Sequence, residues 1–539
     1  MRVLLVEPAS QKTTRGSGKQ HRSEETKWYP PLSLMKLARF HKNRGDEVRF
    51  VRGCDATLFA GEDFYSSAEE AWDRVYITTV FTFHFKEVVK TIKFYLEAVG
   101  GTVSKVYVGG IAASLMAEDF HEATGIWPIT GILSSAEMIG FKDDHTNIDE
   151  LPPDYTVIDG EQYAINDTFY AYASRGCTLK CAWCGVPKIE PTFDPYLNIK
   201  NTVRTLREEY GDFSLLRLMD NNIIASKNLK QIVDDLKELG YGKNEYTKTA
   251  NPKQRIVDFN QGLDATYFNK ETVGLMSQLN IRPMRIAFDR ANDHKAYTRA
   301  VTLSHAAGIT DFSNYLLYNW KDSPQDLFDR LVINIQMNEQ WEEAGRKAGQ
   351  RSAVGSIYCY PMRFAPINND SGQHENQHRE MDWPDDEPDR NWGVNPVWTR
   401  RFIRNIEVMK GAANGAISPT SKLARRTVGR NFDEFLLNLY MPEELLRNRN
   451  RYEKTVYAGE PPREPGDGKV EAFREFMAGL LKSQDQRFRF FHAAVSPNRQ
   501  QRVRKAMAEC PEPEMREWLD LYIRKNQGKQ QLRLESVTK

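Results

Sequence analysis

Three of the six cysteines in this chain fall within one short segment, ASRGCTLKCAWCGVP. Cys177, Cys181 and Cys184 stand in the spacing C-x3-C-x2-C. Thiolates this close together can converge on a soft-metal centre. Structural zinc usually takes four ligands, and the loop holds no fourth Cys or His; the next His downstream is His294. A zinc site completed from elsewhere and three cysteines kept for packing are the alternatives to a cluster. A cubane of four irons held by three thiolates leaves one iron open. An open iron can bind a small molecule through its amine and carboxylate.

The elements around the triplet fit that chemistry. FYAYASRG is an apolar strand that ends where the cysteines begin. From about 168 to 367, further strands are expected at SLLRLMD, QRIVDFNQG, MRIAFD, SNYLLYN and GSIYCYP. Helical stretches lie between them near 199–209, 226–239, 269–279, 292–306 and 323–345. Six β/α units suit a partial TIM-like (β/α)6 barrel, whose reactive groups sit at the C-terminal ends of its strands.

The triplet, with Trp183 just before its last Cys, resembles the radical S-adenosylmethionine (SAM) superfamily. The resemblance covers the strand and loop and, through the β/α alternation, about 200 residues around them. It implies that Cys177, Cys181 and Cys184 hold a 4Fe-4S cluster. It implies that SAM chelates the unique iron through its methionine amine and carboxylate, and is cleaved there to a 5′-deoxyadenosyl radical. A reductant such as flavodoxin or ferredoxin is then a partner. Trp183 would pack near the adenine. Asp220 or Asn221, at the end of SLLRLM, would contact the methionine amine, although the usual Gly-Gly-Glu pattern is absent; a helix N-cap is the competing role for this position. Gln261 and Asp264 in FNQGLDAT are candidates for ribose hydroxyls, and Asn319 at the end of LLYN for lining the cavity. Cys359, Cys54 and Cys510 read as small hydrophobes.

Residues 1–150 alternate RVLLVEP, PPLSLMKLARFHKNRG, EVRFVRG, RVYITTVF, KEVVKTIKFYLEAVGG and KVYVGG. Apolar strands alternating with amphipathic helices indicate a parallel sheet covered on both faces, flavodoxin-like in class. WYPPLSLMKLARFHKNRGDEVRFV, KVYVGGIAASLMAEDF and LPPDYTVID together resemble the cobalamin-binding domain that precedes the barrel in one large radical SAM class. By that resemblance Gly109 and Gly110 let the backbone approach the nucleotide tail of cobalamin, beside Thr78 and Thr79. The Asp-x-His-x-x-Gly motif that supplies a cobalt ligand is missing, and His21 is isolated. A flavodoxin-like domain kept for packing or substrate contact is the alternative.

The remaining chain divides into a connector (151–167), a polar, acidic linker or loop (368–396) and a helical C-terminal region (397–539). Lys and Arg number 74 against 73 Asp and Glu, so no general polyanion surface is implied. Locally, 391–450 carries ten Lys and Arg against five Asp and Glu. Arg400, Arg401, Arg404, Lys410, Lys422, Arg425, Arg426 and Arg430, with Trp398 and Phe402 interleaved, suggest nucleic acid or peptide as a partner through 397–430. A solvated helical face is the plainer reading. No stretch reaches the ~18–20 apolar residues of a membrane span, and with no signal segment the expected location is the cytoplasm.

These readings combine into an expectation: an α/β chain that cleaves SAM reductively and modifies an unidentified substrate. Cobalamin-dependent methylation is one outcome and cobalamin-independent rearrangement or oxidation another. A non-catalytic binding protein stabilised by iron-sulfur or zinc is the alternative of a different class.

Overall fold

In a computed structural model of the chain, the residues described are 1–8, 29–59, 72–159, 163, 167–350, 352–364, 397–411, 413, 415–447 and 468–523. The first strand, β1 (Arg2–Glu7), is nearly all buried. It pairs in parallel with β2 (Glu47–Arg52) on one side and β3 (Arg74–Thr79) on the other. Strand β4 (Val106–Gly110) completes the order β2-β1-β3-β4. Alternate side chains of a strand face opposite ways, and the two faces acquire separate cores. Val3, Leu5 and Tyr76 pack with Leu34, Leu37 and Phe40 of α1 (Leu32–Asn43). Leu4, Val6, Val75 and Ile77 pack with Ile92 and Tyr95 of α2 (Phe85–Ala98). The doubly covered parallel sheet expected from the sequence is therefore present. Two short helices, α3 (Ile111–Leu115) and α4 (Ala117–Thr124), follow β4.

The second parallel sheet runs β5 (Thr168–Ala171), β6 (Leu215–Leu218) and β7 (Ile256–Phe259) in that order. Helices α5 (Val186–Ile189), α6 (Ile199–Tyr210) and α7 (Leu229–Glu238) lie between them in the chain. The expected strand QRIVDFNQG is interrupted: after β7, a two-residue strand β8 (Leu263–Asp264) pairs instead with β9 (Met284–Ala287). Gly262, at φ +92°, makes the turn between β7 and β8. Helix α8 (Lys270–Met276) separates β8 from β9. Between β6, β7 and β9, the buried Asp258 carboxylate bonds Arg217 at 3.1 Å and Arg285 at 2.7 Å. Helix α9 (His294–Ala306) and strands β10 (Asp311–Tyr318) and β11 (Ser356–Arg363) follow, with α10 (Pro324–Lys347) between the two strands.

The chain divides into two units. The first comprises the described residues within Met1–Phe288 and Asp293–Asn314, and the second those within Asp289–Asn292, Tyr315–Phe364 and Gln377–Lys539. The helical region in the second unit holds α11 (Arg400–Lys410), α12 (Ser421–Val428), α13 (Phe432–Tyr440), α14 (Lys469–Ser483), α15 (Gln486–Val495), α16 (Gln500–Glu509) and α17 (Pro513–Asp520). No helix among the described residues is long and apolar enough to cross a membrane.

The structure corrects the stacking role expected for Trp398 and Phe402. Both rings are core: Trp398 donates its indole N–H to the Asp322 carbonyl, and Phe402 packs edge-on against Tyr440. A ring that fills a protein core has no face left for a base. Arg400 and Arg401 are buried too, while Arg404 and Lys410 are paired with Glu443 and Glu407. His21 and nearly all of the acidic 368–396 segment lie outside the described residues.

Candidate functional site

The cysteine loop begins where β5 leaves its sheet. Its base is clasped by backbone bonds: Arg175 and Asp194 exchange N–H···O bonds at 2.9 Å each, and Leu197 N–H donates to Ala173 O at 2.7 Å. Gly176, immediately before Cys177, has φ +76°, and a Cβ there would lie 2.3 Å from the Thr192 carbonyl oxygen. Only glycine fits that turn. Cys177, Cys181 and Cys184 are in no disulfide and are half-buried. The Leu179 N–H points at Cys177 Sγ at 3.4 Å, and Cys184 N–H at the Cys181 carbonyl at 3.0 Å. Trp183 is half-buried on the same loop.

Two buried carboxylates fix the strand that feeds the loop. Asp220, at the end of β6, accepts from Ala173 N–H at 3.0 Å, from Ser174 Oγ at 2.6 Å and from the Ser174 N–H. Burial pushes its carboxyl up to about 6, against the lowering effect of these donors. On the other side, Asp149 bonds Arg175 Nε at 2.7 Å and Lys36 Nζ at 3.0 Å. Burial alone would raise Asp149, but the charges of Lys36 and Arg175 and their hydrogen bonds hold it at about 2. The Lys36 ammonium is pulled below its ordinary value by burial. The Arg175 guanidinium also lies over the Tyr172 ring, 3.4 Å from its centroid. Glu190 closes the network: it accepts from Arg175 at 3.0 Å, from Gly176 N–H at 2.5 Å and from Asn221 Nδ2 at 2.9 Å.

The other sequence candidates fall as follows. Asn221 is held by Glu190, beside the base of the cysteine loop. Asp264 caps a short 3-10 turn through Thr266 N–H and Oγ1, both at 2.8 Å, and Gln261 is exposed. Tyr267, in that turn, reaches back to the cysteine loop, its hydroxyl 3.1 Å from Thr178 Oγ1. Asn319 is buried in the second unit at φ +69°. Gly110 has φ +109°, and a Cβ there would meet Thr79 O at 2.3 Å. The Thr79 hydroxyl donates to Gly109 O and accepts from Ala113 N–H. Gly110 is therefore needed for the close packing of β4 on β3, whereas a Cβ on Gly109 would make only an ordinary contact with the Ile129 carbonyl at 3.5 Å.

Sequence reasoning missed Lys36, Asp149, Arg175 and Glu190. Arg175 and Glu190 flank the triplet and could have been noticed, but nothing local marks Lys36 or Asp149. Asn222 was also missed. Its Oδ1 accepts from Asp264 N–H at 3.2 Å, and its buried Nδ2 has no partner among the described residues.

The end of the N-terminal sheet lies against this loop. A Cβ on Gly185 would sit 3.3 Å from Leu115 at the end of α3, and one on Gly131 would sit 3.4 Å from the Ile189 carbonyl at the end of α5. Val80, Phe81 and Ile111, at the C-terminal ends of β3 and β4, are 41%, 51% and 48% exposed.

Three thiols on one short loop, none of them in a disulfide, are a donor set suited to iron-sulfur ligation. No three His, Cys, Asp or Glu side chains among the described residues are gathered to hold one ion.

No protein-family model and no curated protein matches the chain. Among solved structures, it is similar to the radical SAM methyltransferase TsrM from Kitasatospora setae, determined with cobalamin and a 4Fe-4S cluster bound. That match has 14% identity and a TM-score of 0.42, covering 62% of this chain and 73% of the other. It is also similar to HydG, a maturase of the FeFe hydrogenase, at 13% identity and a TM-score of 0.26, covering 69% of this chain and 84% of that one.

Proposed function

We propose that this chain is a radical SAM enzyme that acts on a substrate still to be identified. The observation that carries the reading is the cysteine loop itself: three half-buried thiols, none in a disulfide, following the C-terminal end of a buried parallel strand. Cys177, Cys181 and Cys184 would hold a 4Fe-4S cluster, which would supply the one-electron reduction that cleaves SAM. The chain's own part is positioning. Asp220 and Glu190 fix the backbone on either side of Arg175, so the loop starts from a set direction. Asn222 offers an unsatisfied N–H donor at the end of β6, suited to an acceptor on a bound cofactor. Free thiols of this kind persist in a reducing compartment such as the cytoplasm.

The test is anaerobic reconstitution with iron and sulfide, followed by reduction in the presence of SAM. The product 5′-deoxyadenosine is expected from the wild type and not from Cys181→Ala. A wild-type protein that takes up zinc and makes no 5′-deoxyadenosine would instead be a metal-stabilised binding protein.

One observation favours a finer reading, cobalamin-dependent methylation. Val80, Phe81 and Ile111 form an exposed apolar rim at the strand ends of the N-terminal sheet, in the part of the unit that packs on the cysteine loop. A corrinoid could cover that rim without a histidine on cobalt. Purification with hydroxocobalamin should then leave a corrinoid absorbance on the protein that Ile111→Asp removes. Without retained corrinoid, radical rearrangement or oxidation takes the place of methyl transfer.

A further inference from the structure

Outside the site described, the second unit carries a solvent-open cavity of about 980 Å³ between α10, α12, α13 and α14. This lies at the upper end of small-molecule sites, roughly 300–1,000 Å³. Its lining is strongly cationic: Lys422, Arg425, Arg426, Arg430 and Arg474 against Glu339 and Glu434. Arg425 makes a two-pronged pair with Glu339 at 2.9 and 3.1 Å. Arg430 pairs with Glu434 at 2.5 Å. Arg426 aside, Lys422 and Arg474 add two positive charges beyond the carboxylates of the lining. Arg474 adds a further sign: its Nε is buried and has no hydrogen-bond partner among the described residues. A buried guanidinium N–H without an acceptor is costly, and an anion that draws this side chain toward the cavity would give it one. The apolar part of the wall comes from Phe328 and Phe432, edge to face with centroids 5.9 Å apart.

We propose that this cavity binds a small organic anion bearing two or more negative charges, a phosphate ester or a polycarboxylate. The excess charge matches such a ligand, and guanidinium groups suit phosphate and carboxylate oxygens alike. A nucleic-acid strand fits less well. The aromatic rings that would stack its bases, Trp398 and Phe402, are buried, and the flanking Arg404 and Lys410 are already paired with glutamates. The proposal does not depend on the cysteine loop.

The test is titration calorimetry on the full chain at low salt with ATP, citrate and a single-stranded RNA 20-mer. Saturable binding of ATP or citrate is expected, weakening with added salt. ATP alone would identify phosphate as the recognised group, and citrate alone would identify carboxylate. Lys422→Gln and Arg474→Gln should each weaken binding roughly tenfold. Lys422 is exposed, so its substitution leaves the fold intact and keeps the test valid should Arg474→Gln misfold. No saturable binding of either small anion, unchanged affinity in Lys422→Gln, or binding of RNA alone would overturn the proposal.

Discussion

Asp149 and Asp220 flank the same stretch of chain, the five residues leading from β5 into the cysteine loop, yet their surroundings drive them in opposite directions. Asp149 lies between two cations and stays ionised down to about 2. Asp220 meets only neutral donors, the amides of Ala173 and Ser174 and the Ser174 hydroxyl, and burial lifts it to about 6. Full charges compensate a carboxylate's desolvation, whereas dipoles compensate it in part. One side of the loop base is therefore locked by ion pairs at every ordinary pH. The other is held by a carboxyl that titrates near neutrality.

The comparison can be broken most severely at Asp149. Asp149→Ala strands Lys36 as a largely buried cation and leaves Arg175 with Glu190 alone, and about 3–5 kcal/mol of stability should go with it. Thermal melting of wild type and variant measures this, and a loss under 1 kcal/mol would show that the network is solvated.

The pH dependence sharpens the contrast. Asp149 has a folded value of about 2, below its ordinary 3.8. Its contribution is present above pH 4 and is lost as pH falls through 2. Asp220, at about 6, is raised above its ordinary 3.8. The folded state then binds the extra proton between these values, so stability falls as pH rises from about 4 to about 6, by about 3 kcal/mol. Melting curves across that window should show the fall in the wild type and a flat profile in Asp220→Asn.

Smaller effects follow at the loop itself. Gly176→Ala drives a Cβ into the Thr192 carbonyl at a positive φ and should cost about 1–3 kcal/mol. Reconstituted iron per chain should drop with it; unchanged iron would mean that the turn does not set the thiols. Asn221→Ala removes one hydrogen bond to Glu190, leaving Arg175 and Gly176 in place, and should cost about 1 kcal/mol with little change in iron content.

The alternation of apolar residues was enough to read the N-terminal sheet. Val3 and Leu5 face one core and Leu4 and Val6 the other, as the period of a strand requires. The β/α order from 168 onward was also legible, because each strand is a short apolar run and each helix an amphipathic one. The break after β7 was not. FNQG reads as the end of one strand, and only the positive φ at Gly262 and the pairing of Leu263 with Ile286 make it a separate one. The basic segment misled for a related reason. Trp398, Phe402, Arg400 and Arg401 look like a surface by composition, and burial is not a local property.

The sequence by itself determined the triplet and its place. Spacing within one loop is a covalent fact, and a strand shortly before it follows from local hydrophobicity, although β5 stops at Ala171. It did not mark the glycine at 176, since the Thr192 carbonyl that forbids a side chain there arrives from the far end of the loop. Only the tertiary structure decided what holds the loop. Lys36 and Asp149 are 113 residues apart in the chain, and Asp149 reaches Arg175 across another 26. Bonds across such separations have no signature in a window of sequence. They arise because two sheets, each folding on its own apolar pattern, pack so that buried charges must find one another.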